Sequence, residues 1–381
     1  MAVAVGWPAL RIGPHTLAAP FCQAGLAGYS DRAMRVVARR RGCPYAVTEA
    51  LLDVILLAGG LGLKRSIDIN DEDHPVAGQV IGSEPDTVSA AAAILHRHAY
   101  DVIDLNFACP VKKIKNKARG GHMLRDVERG TAILRATRDK LPGATLSVSL
   151  RRAFDDAPGE DTLRQLVDEA WRLGYAAVRV HGRTVEQKYA GRADWDALRR
   201  LKADYPDRTI LGSGDVFTAA DAVRMKLVTG VDIVWVARGA IGNPWIFEHA
   251  AKLLGAVSVE MDCEQSGGAA LDAVIDRHAS MLAPPTVAGQ RAALQEHFDL
   301  AFSIHGEQVA GRRMRKMGIK YARFHPDAPA VKKRFVDVSS RTDWQRVLDD
   351  HYAADRPGVW PPADAADEVN GESAACEVAE A

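Results

Sequence analysis

The stretch Val102-Ile103-Asp104-Leu105-Asn106-Phe107-Ala108-Cys109-Pro110 decides the reading of this 381-residue chain. An apolar, β-rich run ends in Asn106, and a loop carrying one thiol and a proline follows at once. Barrel enzymes keep their chemistry on loops placed this way, after the carboxyl ends of strands. A thiol with an ordinary pKa of about 8.5 is mostly protonated at neutral pH. Without an activating partner, Cys109 therefore suits proton donation better than nucleophilic attack. Asn106 can donate and accept along the edge of a planar polar substrate. Taken alone, the cysteine and its proline fit a buried strand-end turn equally well.

Runs of the same kind recur on both sides at barrel-unit spacing: Leu17 to Ala24, Ala46 to Glu49, Ala77 to Ile81, Thr145 to Leu150, Ala177 to His181, Thr209 to Ser213 and Ile233 to Ala237. Helix-like stretches separate them, among them Glu84 to His98, Val127 to Lys140 and Asp161 to Leu173. Local signals agree, with Ser30-Asp31 ahead of Arg32 to Arg41 and Thr218 ahead of Ala219 to Leu227 as N-caps. Eight strands alternating with helices predict an α/β fold, a (β/α)8 TIM barrel over residues 1–255. Beyond that the strand periodicity ends, and Leu271 to His351 reads as several helices, a smaller α-helical domain over 256–355. The formal net charge of zero hides an asymmetry: Pro357 to Ala381 holds six acidic residues and no Lys or Arg, leaving the rest at +6. Rich in Ala and Pro with little to bury, 356–381 reads as a disordered acidic tail.

Hydrophobic content of 47% and charged content of 26% are those of a soluble globular protein. There is no apolar run long enough to span a bilayer, and the start Met1-Ala2-Val3-Ala4-Val5-Gly6-Trp7-Pro8 has no signal-peptide pattern, so a cytoplasmic address is expected. Five scattered cysteines without CxxC spacing argue against a disulfide framework or a structural zinc site, and no metal is expected. No obligate protein partner is evident, and a monomer is the plainer expectation.

If the eight strands close, their carboxyl ends share one mouth. Strand 7 ends in Gly212-Ser213-Gly214-Asp215 and strand 8 in Ala237-Arg238-Gly239-Ala240, the pair of loops from which barrels build phosphate sites. Glycines let backbone N–H groups approach a phosphate, and Arg238 adds charge. Gln79 and His181 offer donors and acceptors to a flat heterocycle, or are satisfied core residues. Arg151, Lys112, Lys113 and Lys115 make the mouth cationic, which suits an anionic cofactor or a polyanionic substrate. Arg312, Arg313, Arg315 and Lys316 open the densest basic region of the chain, either a solvated helix face or a surface for a phosphate backbone.

Asn106-Phe107-Ala108-Cys109-Pro110-Val111-Lys112-Lys113, His181-Gly182-Arg183-Thr184, Ser213-Gly214-Asp215 and Arg238-Gly239-Ala240 together resemble the tRNA-dihydrouridine synthases. The match runs from Arg11 to Phe247 and continues more loosely to about Tyr352. The resemblance implies an FMN-binding barrel and a helical tRNA-binding domain that reduce the 5,6 double bond of particular uridines in tRNA with NADPH. Hydride would pass from reduced flavin to C6 of the uracil, Cys109 would protonate C5, and Asn106 would orient the ring. By the same matching, Gly25, Leu26 and Ala27 would meet the flavin by backbone and Gln79 and His181 by side chain. Ser213, Gly214, Asp215, Ala237 and Arg238 would hold its ribityl phosphate. The basic helical residues would grip a tRNA whose target base must leave its stack.

Two positions depart from the pattern. The family has Ala-Pro-Met where this chain has Ala24-Gly25-Leu26, a mild change at a backbone contact. Ser149 stands where the family has a lysine near the flavin pyrimidine ring, and a hydroxyl offers only a neutral hydrogen bond there. Arg151, on the same strand face, is the expected compensating cation. A different FMN barrel reductase acting on a small pyrimidine or enone, and a catalytically weakened tRNA-binding relative, stay open as alternatives. No GxGxxG dinucleotide motif is present to indicate the reductant.

Overall fold

The computed structural model describes residues 10–60, 63, 67–110, 118–263 and 268–362. Eight parallel strands form a closed barrel: β1 (Phe21–Gln23), β2 (Ala46–Leu52), β3 (Val76–Ile81), β4 (Val102–Phe107), β5 (Leu146–Arg151), β6 (Ala177–His181), β7 (Ile210–Ser213) and β8 (Ile233–Val236), with β8 pairing back onto β1. One helix follows each strand: α1 (Arg32–Arg39), α2 (Asp53–Ala58), α3 (Pro85–Arg97), α4 (Val127–Lys140), α5 (Thr162–Arg172), α6 (Trp195–Asp204), α7 (Ala219–Thr229) and α8 (Ile246–Cys263). The expected TIM barrel is therefore present, with a helical region after it: α9 (Gly268–Ser280), α10 (Val287–His305), α11 (Glu307–Tyr321), α12 (Ala328–Val336) and α13 (Arg341–His351). The boundary expected at residue 255 falls inside α8.

Alternation along each strand sorts the side chains into two environments. On β4, Ile103, Leu105 and Phe107 join the apolar shell between barrel and helices, while Val102 packs inside the barrel. The interior is layered. Its lower end is apolar, where Ile12 and Leu17 of an N-terminal hairpin segment pack with Cys22, Ala77, Val102 and Ile233. Above them the inward positions turn polar: Gln79, Asp104, Asn106, Ser149, Arg179 and His181. Among the described residues, an apolar floor under a polar layer leaves the carboxyl-terminal mouth as the end at which these groups can meet a ligand.

Three local expectations are revised. β1 is three residues long, because Leu17 already pairs with Leu10 in the hairpin segment. β2 continues past Glu49 to Leu52 through an irregularity between Val47 and Ala50, so Glu49 sits at a bulge, where it accepts the Gly28 N–H at 2.5 Å. Residues 356–362, assigned to the disordered tail by composition, are held on the surface by hydrogen bonds: Val359 N–H donates to Phe324 O at 2.9 Å and Trp360 Nε1 to Leu282 O at 3.1 Å. Residues 363–381 lie outside the described residues. Among the described residues, no helix is long and apolar enough to cross a membrane, and no cluster of His, Cys, Asp and Glu is arranged to hold a metal.

The apolar shell runs without a break into the helical region, where Trp344 stacks on Phe298 (4.9 Å between ring centroids) and contacts Phe335 (5.0 Å). At the junction, Asp31 caps α1 by accepting the Met34 N–H at 3.1 Å, and its other oxygen meets His305 Nε2 at 2.8 Å and Arg313 Nε at 3.6 Å.

Candidate active site at the barrel mouth

One pocket at the carboxyl ends of the strands is lined by Gly25, Leu26, Ala27, Gln79, Asn106 and Cys109 on one side. Arg151, Arg179, His181, Ser213, Gly214, Asp215, Ala237 and Arg238 close the other. Lys112 and Lys113 lie outside the described residues.

A chain of hydrogen bonds crosses four neighbouring strands beneath this pocket. Arg179 Nε donates to Ser149 Oγ at 2.8 Å, and Ser149 Oγ–H to Asp104 Oδ2 at 2.7 Å. Gln79 Nε2 donates to the same Asp104 oxygen at 2.7 Å, and Ser147 to the other at 2.6 Å. Gln79 Oε1 accepts from Asn106 Nδ2 at 2.7 Å, and Asn106 Oδ1 accepts the backbone N–H groups of Ala108 and Cys109 at 3.0 Å each. The chemistry fixes the sense of every link. Arginine can only donate and an ionised aspartate can only accept, so both amides have one allowed orientation. The chain ends on the amide of Cys109, whose carbonyl is held from the other side by the Gly121 N–H at 3.1 Å. Asn106 thus shapes the thiol's loop, and the second N–H of its amide remains for a ligand.

Arg151 does not stand in for a cation at Ser149. Its Nε donates to Ala108 O at 2.8 Å and its Nη1 to the carbonyls of Thr184 (2.8 Å) and Lys188 (2.7 Å), tying the loops after β4 and β6 together. Burial pulls its guanidinium down to about 10, which leaves it charged at neutral pH. The guanidinium that touches Ser149 belongs to Arg179, which shares its register across β5 and β6.

His181 is neutral. Burial first, then the positive charge of Arg151, Arg179, Arg183 and Arg238, holds it well below the usual histidine range. Its Nδ1 accepts the Arg183 N–H at 3.1 Å, so the proton sits on Nε2.

At the β7 and β8 ends, Gly214 and Asp215 both have positive φ, 129° and 54°. The N–H groups of Gly214, Asp215 and Val216 donate to no acceptor among the described residues. Asp215 turns its carboxylate away from this cradle, accepting from Arg183 Nη2 at 2.6 Å and Ala193 N–H at 2.7 Å, with Arg238 Nη2 at 3.6 Å. Backbone donors beside a guanidinium are the usual elements of a phosphate site. On the opposite wall Gly25 is required by packing, since a Cβ there would stand 2.1 Å from Thr48 O. These features fit a flat anionic ligand with a phosphate tail.

The basic run of the helical region divides by helix face. Ala310, Met314, Met317 and Tyr321 bury one side of α11, leaving Arg312 and Arg315 exposed on the other. Arg313 donates to Glu49 Oε1 at 3.3 Å, and Lys316 donates to Gly28 O and lies 4.1 Å from the Tyr29 ring centroid. These two hold the helical region against the barrel.

The family model for dihydrouridine synthase matches residues 22–354. The chain belongs to the dihydrouridine synthase family. Three of its relatives show how far the likeness extends. "tRNA-dihydrouridine synthase B" of Xanthomonas campestris pv. campestris is 28% identical over 359 residues, covering 94% of this chain and all of the relative. "Probable tRNA-dihydrouridine synthase" of Mycobacterium tuberculosis is 30% identical over 356 residues, covering 90% and 84%. A protein of the same printed name from Aquifex aeolicus is 32% identical over 231 residues, covering 59% and 71%. Membership carries the general reaction, reduction of uridine in tRNA, and makes the chain an oxidoreductase.

Among the pocket residues that sequence reasoning missed are Arg179, Tyr189 and Trp235. A signal for Arg179 was present, since it shares the inward face with His181 in Ala177-Val178-Arg179-Val180-His181. Trp235 follows from the same alternation on β8. Tyr189, in a loop, has no periodic signature; the Arg151 and Arg238 guanidiniums lie 5.7 and 5.6 Å from its ring centroid.

Proposed function

We propose that this chain is an FMN-dependent, NADPH-driven reductase of uridine in tRNA, with Cys109 as the proton donor. The observation that carries the reading is one cleft uniting the thiol loop, the four-strand polar chain and the bare backbone donors of the β7 and β8 loops. Gly214, Asp215 and Val216 would hold the ribityl phosphate by backbone, together with Ser213, Ala237 and Arg238. Leu26 and Ala27 would line one side of the flavin, with Gln79 and neutral His181 at its edges. When bound, the flavin supplies the hydride that the uracil receives at C6, and NADPH restores it.

The chain's own residues do the rest. Asn106 directs its second amide N–H at the uracil while its carbonyl oxygen fixes the Cys109 loop. Cys109 holds a proton at Sγ and passes it to C5, then recovers it from solvent. Arg151 fixes the loops around the substrate and adds positive charge to the mouth. Exposed Arg312 and Arg315 meet the tRNA backbone, with a cytoplasmic monomer as the working unit. Purified protein that carries FMN and makes dihydrouridine in unmodified tRNA, but not from free uridine, is the expected result. Flavin without any product in tRNA would overturn the substrate assignment.

A further inference from the structure

Arg179 is only 8% exposed, yet it is the pocket cation with its charge least engaged. Nε is bound to Ser149, and the guanidinium lies 4.5 Å from the Trp235 ring centroid. Nη1 and Nη2 donate to no acceptor among the described residues, and neither is among the buried atoms that lack a partner, so both open onto the pocket. Asp104, the carboxylate of the same network, already accepts from Ser147, Ser149 and Gln79, and Arg179 reaches it through Ser149. A group that can only donate, held rigidly from two sides with its fork left open, is built for an anionic or carbonyl-bearing partner. The other pocket arginines set more of their charge against oxygens: Arg151 donates through Nε and Nη1 to three backbone carbonyls, Arg183 to Gly191 O and Asp215, and Arg238 lies 3.6 Å from Asp215.

We infer that Arg179 is the cation that meets the pyrimidine edge of the flavin and stabilises the negative charge the ring takes up on reduction. The inference rests on the FMN reading above. Ser149 then acts as a positioning residue: lacking charge itself, it accepts from Arg179 and aims the guanidinium from the neighbouring strand. Trp235 supplies the flat surface against which the guanidinium is held.

The test compares FMN-loaded wild type with Arg179→Gln and Arg179→Lys. The readouts are the midpoint potential of the bound flavin, the dissociation constants of oxidised and reduced FMN, and the thermal transition of each protein. Arg179→Gln is expected to weaken binding of reduced FMN at least tenfold relative to oxidised FMN, a fall of about 30 mV in the two-electron potential for each factor of ten. Arg179→Lys is expected to keep most of the wild-type potential. An unchanged potential in Arg179→Gln overturns the inference. So does an equal fall in both variants, which would show that shape and not charge is at work. Wild type that binds no FMN would remove the reading beneath the inference, and that result is seen before any variant is compared.

Discussion

Asp104 governs the site at the scale of single residues. As the only acceptor-only member of the polar chain, it sets the orientation of Ser149, Gln79 and, through Gln79, Asn106 and the amide of Cys109. Asp104→Asn keeps the shape but admits donors into a position that must accept, and leaves the Arg179 charge without its nearby carboxylate. A loss of about 3 kcal/mol in unfolding free energy is expected from denaturant titration, with a change under about 1 kcal/mol counting against the network. Cys109→Ala should act differently. In the proposed mechanism Cys109 is the general acid, and removing such a group costs about 100- to 10,000-fold in rate, so dihydrouridine formation should fall by that order while FMN affinity and melting temperature stay at wild-type values.

At the scale of elements, the two faces of α11 have separate duties in the proposed reading. Arg312→Ala and Arg315→Ala should each weaken tRNA binding and reduce the slope of log affinity against log salt by about one unit per lost phosphate contact, without moving the melting temperature. Arg313→Ala and Lys316→Ala should lower the melting temperature, because those side chains tie α11 to Glu49 and Gly28. Equal behaviour of all four variants in both assays would contradict the division. The sequence shows α11 only as a basic run, since the burial of Ala310, Met314 and Met317 that decides which arginines face out comes from partners far along the chain. The barrel strands were far more legible, because alternating apolar runs and glycine-rich ends are local. β2 was cut short at Glu49 because a bulge breaks the alternation there. Arg179 was missed for a related reason: a charged residue flanked by Val178 and Val180 reads as an interruption of a buried strand until both barrel faces are known.

For the whole molecule, burial places a pH limit on stability. His249 and His297 are both held at about 4, chiefly by burial, and His181 also lies well below the usual range. In the unfolded chain each returns to about 6.5. Between those values the unfolded state binds protons that the folded state refuses, so stability is full above about pH 6.5 and declines as pH falls. The loss is about 2 kcal/mol by pH 5 for a histidine shifted this far, as an upper bound. Asp31 acts in a lower window: despite burial, its bond to His305 and the Arg313 charge hold the carboxyl far below the usual range, so its contribution fades only as pH falls below about 4. Thermal melts should therefore drop between pH 7 and 5, and a flat profile would contradict the buried neutral histidines. In the proposed reading, FMN, uracil and tRNA would all depend on one mouth, whose floor is apolar and whose helical region shares the barrel's apolar shell. The decisive measurement is mass spectrometry of unmodified tRNA after incubation with the purified protein, FMN and NADPH, run beside Cys109→Ala. Dihydrouridine at defined positions with wild type, and a loss of at least about 100-fold with the variant, is the predicted result; no dihydrouridine from a flavin-loaded wild type, or equal yield from both proteins, would contradict it.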